Sequence, residues 1–186
     1  EVKSFIKNTL KISNSEKFLR LIHEVGVLGL LLPQFGRAHC RVSHDFYHHY
    51  TADEHSLRMI RFLEELENKP SSFKEFSESY KQLNSKVLLK LSAFIQPIRE
   101  KKDPEDPDGQ LNNILLATAH LDLSTEEIQI IDFLVSDAYL MIETALHSDI
   151  RQPRVIENFA KKMGSIEKLD LLYLRSYAEL RAVAPG

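Results

Sequence analysis

Cysteine occurs once, at Cys40, and tryptophan does not occur at all. A lone thiol excludes a disulfide framework and fits a reducing compartment, so the expected location is the cytoplasm. Neither sign of charge dominates: 24 Lys and Arg stand against 27 Asp and Glu, a formal net charge of −3. Without a basic stripe the chain lacks the electrostatic footprint of a nucleic-acid binder. No apolar run approaches the roughly 20 residues that cross a bilayer, and the opening Glu1-Val2-Lys3-Ser4 has no signal-peptide character, so no membrane partner is expected. GxGxxG, P-loop and GxSxG patterns are all missing, which leaves no nucleotide cradle and no nucleophile elbow.

What is present is an ordinary folding composition: 186 residues, 43% hydrophobic. That length suits one domain, which buries roughly 70% of its unfolded surface without needing cross-links. The chain begins without Met and stops at Ala184-Pro185-Gly186 just after a helical pattern, so it reads as a piece of a longer protein. Helical punctuation recurs throughout. Ser13-x-x-Glu16, Thr51-x-x-Glu54, Ser72-x-x-Glu75 and Ser124-x-x-Glu127 each have the form of a capping box. Apolar residues follow at helical spacing: Met59, Phe62, Leu63 and Leu66; Ile128, Ile131, Val135, Ala138, Ile142 and Ala145; Leu169, Leu172, Tyr173, Ser176, Leu180 and Val183. Pro153 is placed for a first turn, and Val155, Ile156, Phe159, Ala160 and Met163 carry that helix to Gly164. The expectation is an all-α bundle of about nine helices.

Three breaks interrupt it. Gly36 to Thr51 is a His-rich connection, Asn68-Lys69-Pro70 ends the first long helix, and Lys101 to Gly109 (KKDPEDPDG) is an exposed acidic loop. Within that loop Asp106, Asp108 and Gly109 have part of an EF-hand spacing, but Leu115 stands where the bidentate Glu is needed, and that reading fails. Cys40 beside His39 and His44 is read either as an activated thiol or, more simply, as an idle one. The densest chemistry lies at Ser43-His44-Asp45-Phe46-Tyr47-His48-His49-Tyr50-Thr51-Ala52-Asp53-Glu54-His55. Neutral imidazoles and carboxylates this close could bind a transition metal, and a polar loop whose histidines cap and pack is the simpler reading. A catalytic metal normally needs three protein ligands and an open position.

The run HDFYHHYTADEHSL resembles the start of the HD-type domain in bifunctional PII uridylyltransferase/uridylyl-removing enzymes. Gly26 to Leu30 with Leu32-Pro33-Gln34-Phe35-Gly36 is similar to that family's GVLG…PEFG. Leu140-Met141, Thr144-Ala145, Asp149-Ile150 and Phe159-Ala160 are similar to its LM…TA…D…FA stretch. Leu171 to Leu174 and Arg181 to Gly186 are similar to its LLYL and RAVGPG. The landmarks keep their order through nearly the whole chain. The resemblance implies residues 1–50 as N-terminal helices and His-rich connection, leading into an HD-like domain over 51–186, the whole forming one compact unit.

Catalytic HD domains hold one or two metals with a His, an adjacent His-Asp pair and a distant Asp, and the metal activates water against a phosphodiester. Carried over position by position, the first ligand is His55 and is intact. The adjacent pair falls on Gln96 and Pro97; an amide replaces imidazole, and proline has no side-chain donor. A further family His falls near Asp108-Gly109-Gln110 with none present, the paired His fall on Asp137 and Ala138, and the final Asp appears as Glu179. The resemblance so read implies a non-catalytic, degenerate HD-like module without cofactor, working with an upstream nucleotidyltransferase of the same chain and a PII-like signalling protein. Tyr47, His49 and Tyr50 are its candidate contact residues. The alternative is a metal-dependent phosphohydrolase, of uridylyl-removing or phosphodiesterase type, holding Mn, Mg, Fe or Zn with a rearranged set of His55, Glu179, Asp137 and one of His44, His48 or His120.

Overall fold

The computed structural model describes residues 5–37, 50–68, 73–98, 109–119 and 121–183, and among them helices are the only regular structure. In chain order these are α1 (Phe5–Lys11), α2 (Ser15–Glu24), α3 (Val27–Leu31), α4 (Pro33–Arg37), α5 (Ala52–Asn68), α6 (Lys74–Gln82) and α7 (Lys86–Phe94). A 3-10 turn (Gln96–Ile98) precedes α8 (Gly109–Thr118), α9 (Thr125–Ser136), α10 (Leu140–His147), α11 (Pro153–Met163) and α12 (Ile166–Ala182). Nine helices of the described residues reach eight residues or more, in line with the all-α expectation.

Helix α7 explains the layout. Its sequence KVLLKLSAF is apolar on nearly every side, so it is stable only when surrounded. It runs between α5, α9, α1 and α12, and Leu88, Leu89, Leu91, Ala93 and Phe94 are buried there. Each such side chain contributes roughly 1.5–3 kcal/mol through burial. Helix α5 lies along both α7 and α12, presenting Leu57, Ile60, Leu63 and Leu66 to the core. Phe35 of α4 stacks on Phe94 at 4.7 Å, bringing the N-terminal helices onto the same core.

A charge is drawn into that core with its partners. Lys90 of α7 donates to Glu64 of α5 at 2.9 Å, and both are buried. The same carboxylate accepts from the Ser15 amide at 2.7 Å and from its hydroxyl. Glu64 therefore caps the start of α2 from another helix, satisfying end amides that no local side chain takes up.

Some local expectations need correction. The Ser13–Glu16 box does not form, because the residue before α2 is Asn14 in a left-handed conformation and Glu16 instead accepts from Arg20. Glu54 is likewise drawn to Arg20 across the interface. Helix α6 has Phe73 at its cap position, while Ser72 lies outside the described residues. The Ser124–Glu127 box forms as expected. The stripe from Ile128 to Ala145 breaks at Asp137–Tyr139, and α10 beyond the break buries no residue. On α12 the core face is Leu171, Leu174, Ala178 and Ala182, and Leu169 and Leu180 of the expected stripe are exposed. Gly36 is helical rather than part of the following connection, and Gly109 opens α8 rather than ending a loop. Pro97 lies beyond the end of α7 at Phe94, in the 3-10 turn.

Candidate functional site

The first turn of α5 supplies three consecutive polar residues, and a helix aims consecutive side chains in different directions. Asp53 and Glu54 turn towards α2, where His23 Nε2 meets Asp53 Oδ2 at 2.9 Å and Arg20 donates to both oxygens of Glu54 at 2.6 and 3.2 Å. The hydrogen bond to Glu54 is the main reason that the Arg20 guanidinium is held above its ordinary range. Two acidic residues at a helix start also complement its dipole. His55 turns the opposite way, inward to α12.

There its Nε2 meets Glu179 Oε1 at 2.9 Å. His55 is 5% exposed and Glu179 1%. Facing an ionised carboxylate, that ring nitrogen donates in the tautomer that carries its proton there. The Tyr139 hydroxyl, at the join of α9 and α10, donates to the same oxygen at 3.0 Å. The second oxygen accepts from Arg175 Nη1 at 3.3 Å. Arg175 stands one turn before Glu179 on α12 and is 0% exposed. Its other terminal nitrogen donates to the side-chain oxygen of Gln96, in the 3-10 turn after α7. One buried guanidinium thus joins the residue at the distant-carboxylate position to the residue at the adjacent-imidazole position.

The sequence-derived candidates are distributed as follows. His55 and Glu179 meet directly, from opposite ends of the chain. Gln96 reaches them through Arg175, and Pro97 beside it is buried. Asp137 ends α9 and accepts from Lys162 of α11 at 2.7 Å. Tyr50 lies under the guanidinium of Arg58, 4.0 Å from ring centre to Cζ. His44, Tyr47, His48, His49 and His120 lie outside the described residues, as does Cys40. Among the described residues, no three His, Cys, Asp or Glu side chains converge as a metal set would.

A metal is the group that the resemblance implies here, and among the described residues the donor set meets it poorly. A cation needs converging lone pairs from neutral imidazole and carboxylate. In this cluster the imidazole nitrogen nearest the carboxylate is a donor, both carboxylate oxygens accept from protein donors, the amide oxygen faces a guanidinium, and Pro97 offers nothing. What the arrangement does supply is a cross-brace between α5, α12, the 3-10 turn and the α9–α10 join. Sequence reasoning missed its two central donors, Arg175 and Tyr139. The signal for Arg175 is a charged residue four before Glu179 inside the apolar run Leu171 to Ala178.

Comparison with known proteins gives one consistent description. The chain is 32% identical over 174 residues to a bifunctional uridylyltransferase/uridylyl-removing enzyme of Zymomonas mobilis, covering 92% of this chain and 19% of that protein. It is 33% identical over 180 residues to the enzyme so described from Erythrobacter litoralis, covering 94% and 19%. Against that of Cereibacter sphaeroides it is 31% identical over 190 residues, covering 98% and 20%. The chain therefore spans about a fifth of the length of the curated relatives it matches. No family model matches it, and no solved structure matches it.

Proposed function

We propose, from the premise that this chain is a homologue of one region of the bifunctional uridylyltransferase/uridylyl-removing enzymes, that the region here is a non-catalytic HD-like domain with a regulatory or interaction role. The observation that carries the reading is Arg175. Its guanidinium is fully buried and donates both to Glu179 and to Gln96, so a permanent positive charge is fixed between the residues that stand at metal-ligand positions. A divalent ion brought within about 4 Å of that guanidinium meets a repulsion of roughly 4 kcal/mol for each of its charges at an effective dielectric near 20. Removing the pair Gln96 and Pro97 from any ligand set deepens the deficit, because neither supplies imidazole or carboxylate. The fold survives such a change because the helical core sets its stability, while catalysis depends on a few ligands.

On this reading the domain serves an upstream nucleotidyltransferase in the same chain, and a PII-like signalling protein is its external partner. The short share of the relatives' length supports the first point. No described helix is long and apolar enough to cross a membrane. The single cysteine supports a cytoplasmic setting.

The test is metal content and turnover measured together. Chain purified without a metal-affinity tag and equilibrated with Mn²⁺ is expected to carry far less than one ion per molecule. Hydrolysis of a model phosphodiester is expected to stay at the blank rate and to be indifferent to His55→Ala. One bound ion per chain, with turnover abolished by His55→Ala, would establish the phosphohydrolase instead.

A further inference from the structure

Away from the Arg175 cluster, α5 and α12 bring a second group of cations together. Arg58 and Phe62 are four apart on α5, and the Arg58 Cζ lies 5.8 Å from the Phe62 ring centre as well as 4.0 Å from that of Tyr50. From α12, the Arg181 Cζ lies 4.8 Å from the same Phe62 ring and 4.9 Å from that of Phe73. Both side chains are half-buried. Arg20, Arg61, Arg151 and Arg175 all reach a carboxylate, whereas Arg58 and Arg181 reach none among the described residues. Their Nε–H groups are buried with no acceptor among the described residues. Aromatic faces hold the two guanidiniums in place but neutralise neither.

A third donor lies beside them. Tyr177 precedes Arg181 by one helical turn, is 6% exposed, and its hydroxyl has no hydrogen-bond partner among the described residues. Its ring packs at 5.5 Å on Phe73, the ring that also carries Arg181. Burial raises the Tyr177 hydroxyl's pKa, the nearby Arg181 charge opposes that rise and the Glu65 charge adds to it. Arg61 also flanks Phe62 at 5.5 Å, but Glu65 already accepts from it at 3.3 Å.

Two guanidiniums without a carboxylate partner and a hydroxyl without an acceptor, all judged among the described residues, set the chemistry of what would bind them. We infer that Arg58, Arg181 and Tyr177 form a binding site for a phosphate dianion, either free or as the phosphomonoester end of a small molecule. A planar guanidinium matches phosphate oxygens two at a time, and a dianion neutralises both cations, whereas one carboxylate neutralises only one. The site is independent of whether the His55 cluster holds a metal.

Titration calorimetry of the 186-residue chain at constant ionic strength tests this, with inorganic phosphate, adenosine monophosphate and adenosine as probes. Saturable binding of phosphate or of the monophosphate is expected, and none of adenosine. Equal affinity for the two anions assigns the site to free phosphate, and tighter binding of the monophosphate assigns it to an ester. Arg58→Gln and Arg181→Gln are each expected to weaken binding at least tenfold, with Arg61→Gln within about twofold of the parent. If either glutamine variant fails to fold, arginine Nε–H resonances of the unaltered chain take its place: those of Arg58 and Arg181 shift with phosphate and that of Arg151 does not. Absence of saturable binding, adenosine binding as well as its monophosphate, or affinity retained when both arginines are replaced would each overturn the assignment.

Discussion

Replacing Arg175 by methionine keeps the length of the side chain and removes its charge, which isolates what the guanidinium contributes. The substitution leaves the Glu179 carboxylate in a site that is 1% exposed, with His55 and Tyr139 as its remaining donors among the described residues, and leaves the Gln96 oxygen without the Arg175 donor. Breaking a buried ion pair from one side costs about 3–5 kcal/mol, because the surviving charge stays buried. With a urea dependence of about 2 kcal/mol per molar, the unfolding midpoint should fall on the order of 2 M. Glu179→Gln alone strands the cation instead and should cost a similar amount. Removing both charges together, Arg175→Met with Glu179→Gln, strands neither, so the double change should cost less than the two singles combined by about 1–3 kcal/mol. The exposed pair Arg151–Asp149 is the control, and Arg151→Met should stay within about 0.5 kcal/mol of the parent. A loss below about 1 kcal/mol for Arg175→Met, or strictly additive singles, would refute the argument that this guanidinium anchors the cluster.

Two further substitutions test separate parts of the structure. Tyr80 is fully buried, and burial, followed by the charges of Glu67 and Glu64, pushes its hydroxyl above the ordinary value of 10.0. Its neutral form is thus favoured by folding, so its contribution is whole below the unfolded pKa and is lost as pH rises through the folded one. Because that hydroxyl has no hydrogen-bond partner among the described residues, Tyr80→Phe should change stability by less than about 1 kcal/mol at neutral pH and should flatten the loss above pH about 10 in urea midpoints. A steeper alkaline loss in the variant would contradict this. At Gly36 an added Cβ would meet the Gly29 Cα at 3.0 Å and its carbonyl oxygen at 3.3 Å. Those are backbone atoms, so Gly36→Ala must part α3 from α4, at a cost of about 1–3 kcal/mol and a Tm lower by roughly 2–4 °C for each kcal/mol. An unchanged Tm would show that this approach is not tight.

Local signals told the truth where the partner of each group was local too. The Ser124 hydroxyl and the Glu127 carboxylate satisfy each other's amides within one turn, and Pro153 and Gly164 delimit α11 by their own backbone geometry. The same pattern at Ser13–Glu16 failed because stronger partners came from a distance: Glu64 took the α2 amides and Arg20 took Glu16. A carboxylate held against a guanidinium gains more than one returned to its own helix end. The apolar period at Leu169 and Leu180 fitted a stripe on α12, but the surrounding helices bury the adjacent face. Periodicity fixes the spacing of a stripe, and packing chooses among stripes that share it.

Arg175 marks the limit of such reading. On an isolated helix, Arg and Glu four residues apart are an ordinary surface pair worth a few tenths of a kcal/mol. The same two residues become the centre of a cluster only when α5 brings His55 and the turn after α7 brings Gln96, which are 124 and 79 residues away in sequence from their partners. Position-by-position resemblance located His55, Gln96, Pro97 and Glu179 without revealing how they are connected. Read as a ligand set, those four look like a loss. Joined by the buried Arg175 cation, His55, Gln96 and Glu179 form one hydrogen-bonded cluster; on the reading proposed above, that cation takes the place of a metal's positive charge. A covalent cation cannot be chelated away, so stability of this chain should not depend on EDTA, whereas a domain folded around a bound ion would weaken by RT ln(1 + [ion]/Kd) on its removal. An urea midpoint that drops when the chain is treated with EDTA and returns with added Mn²⁺ would put a metal back at the centre of the bundle.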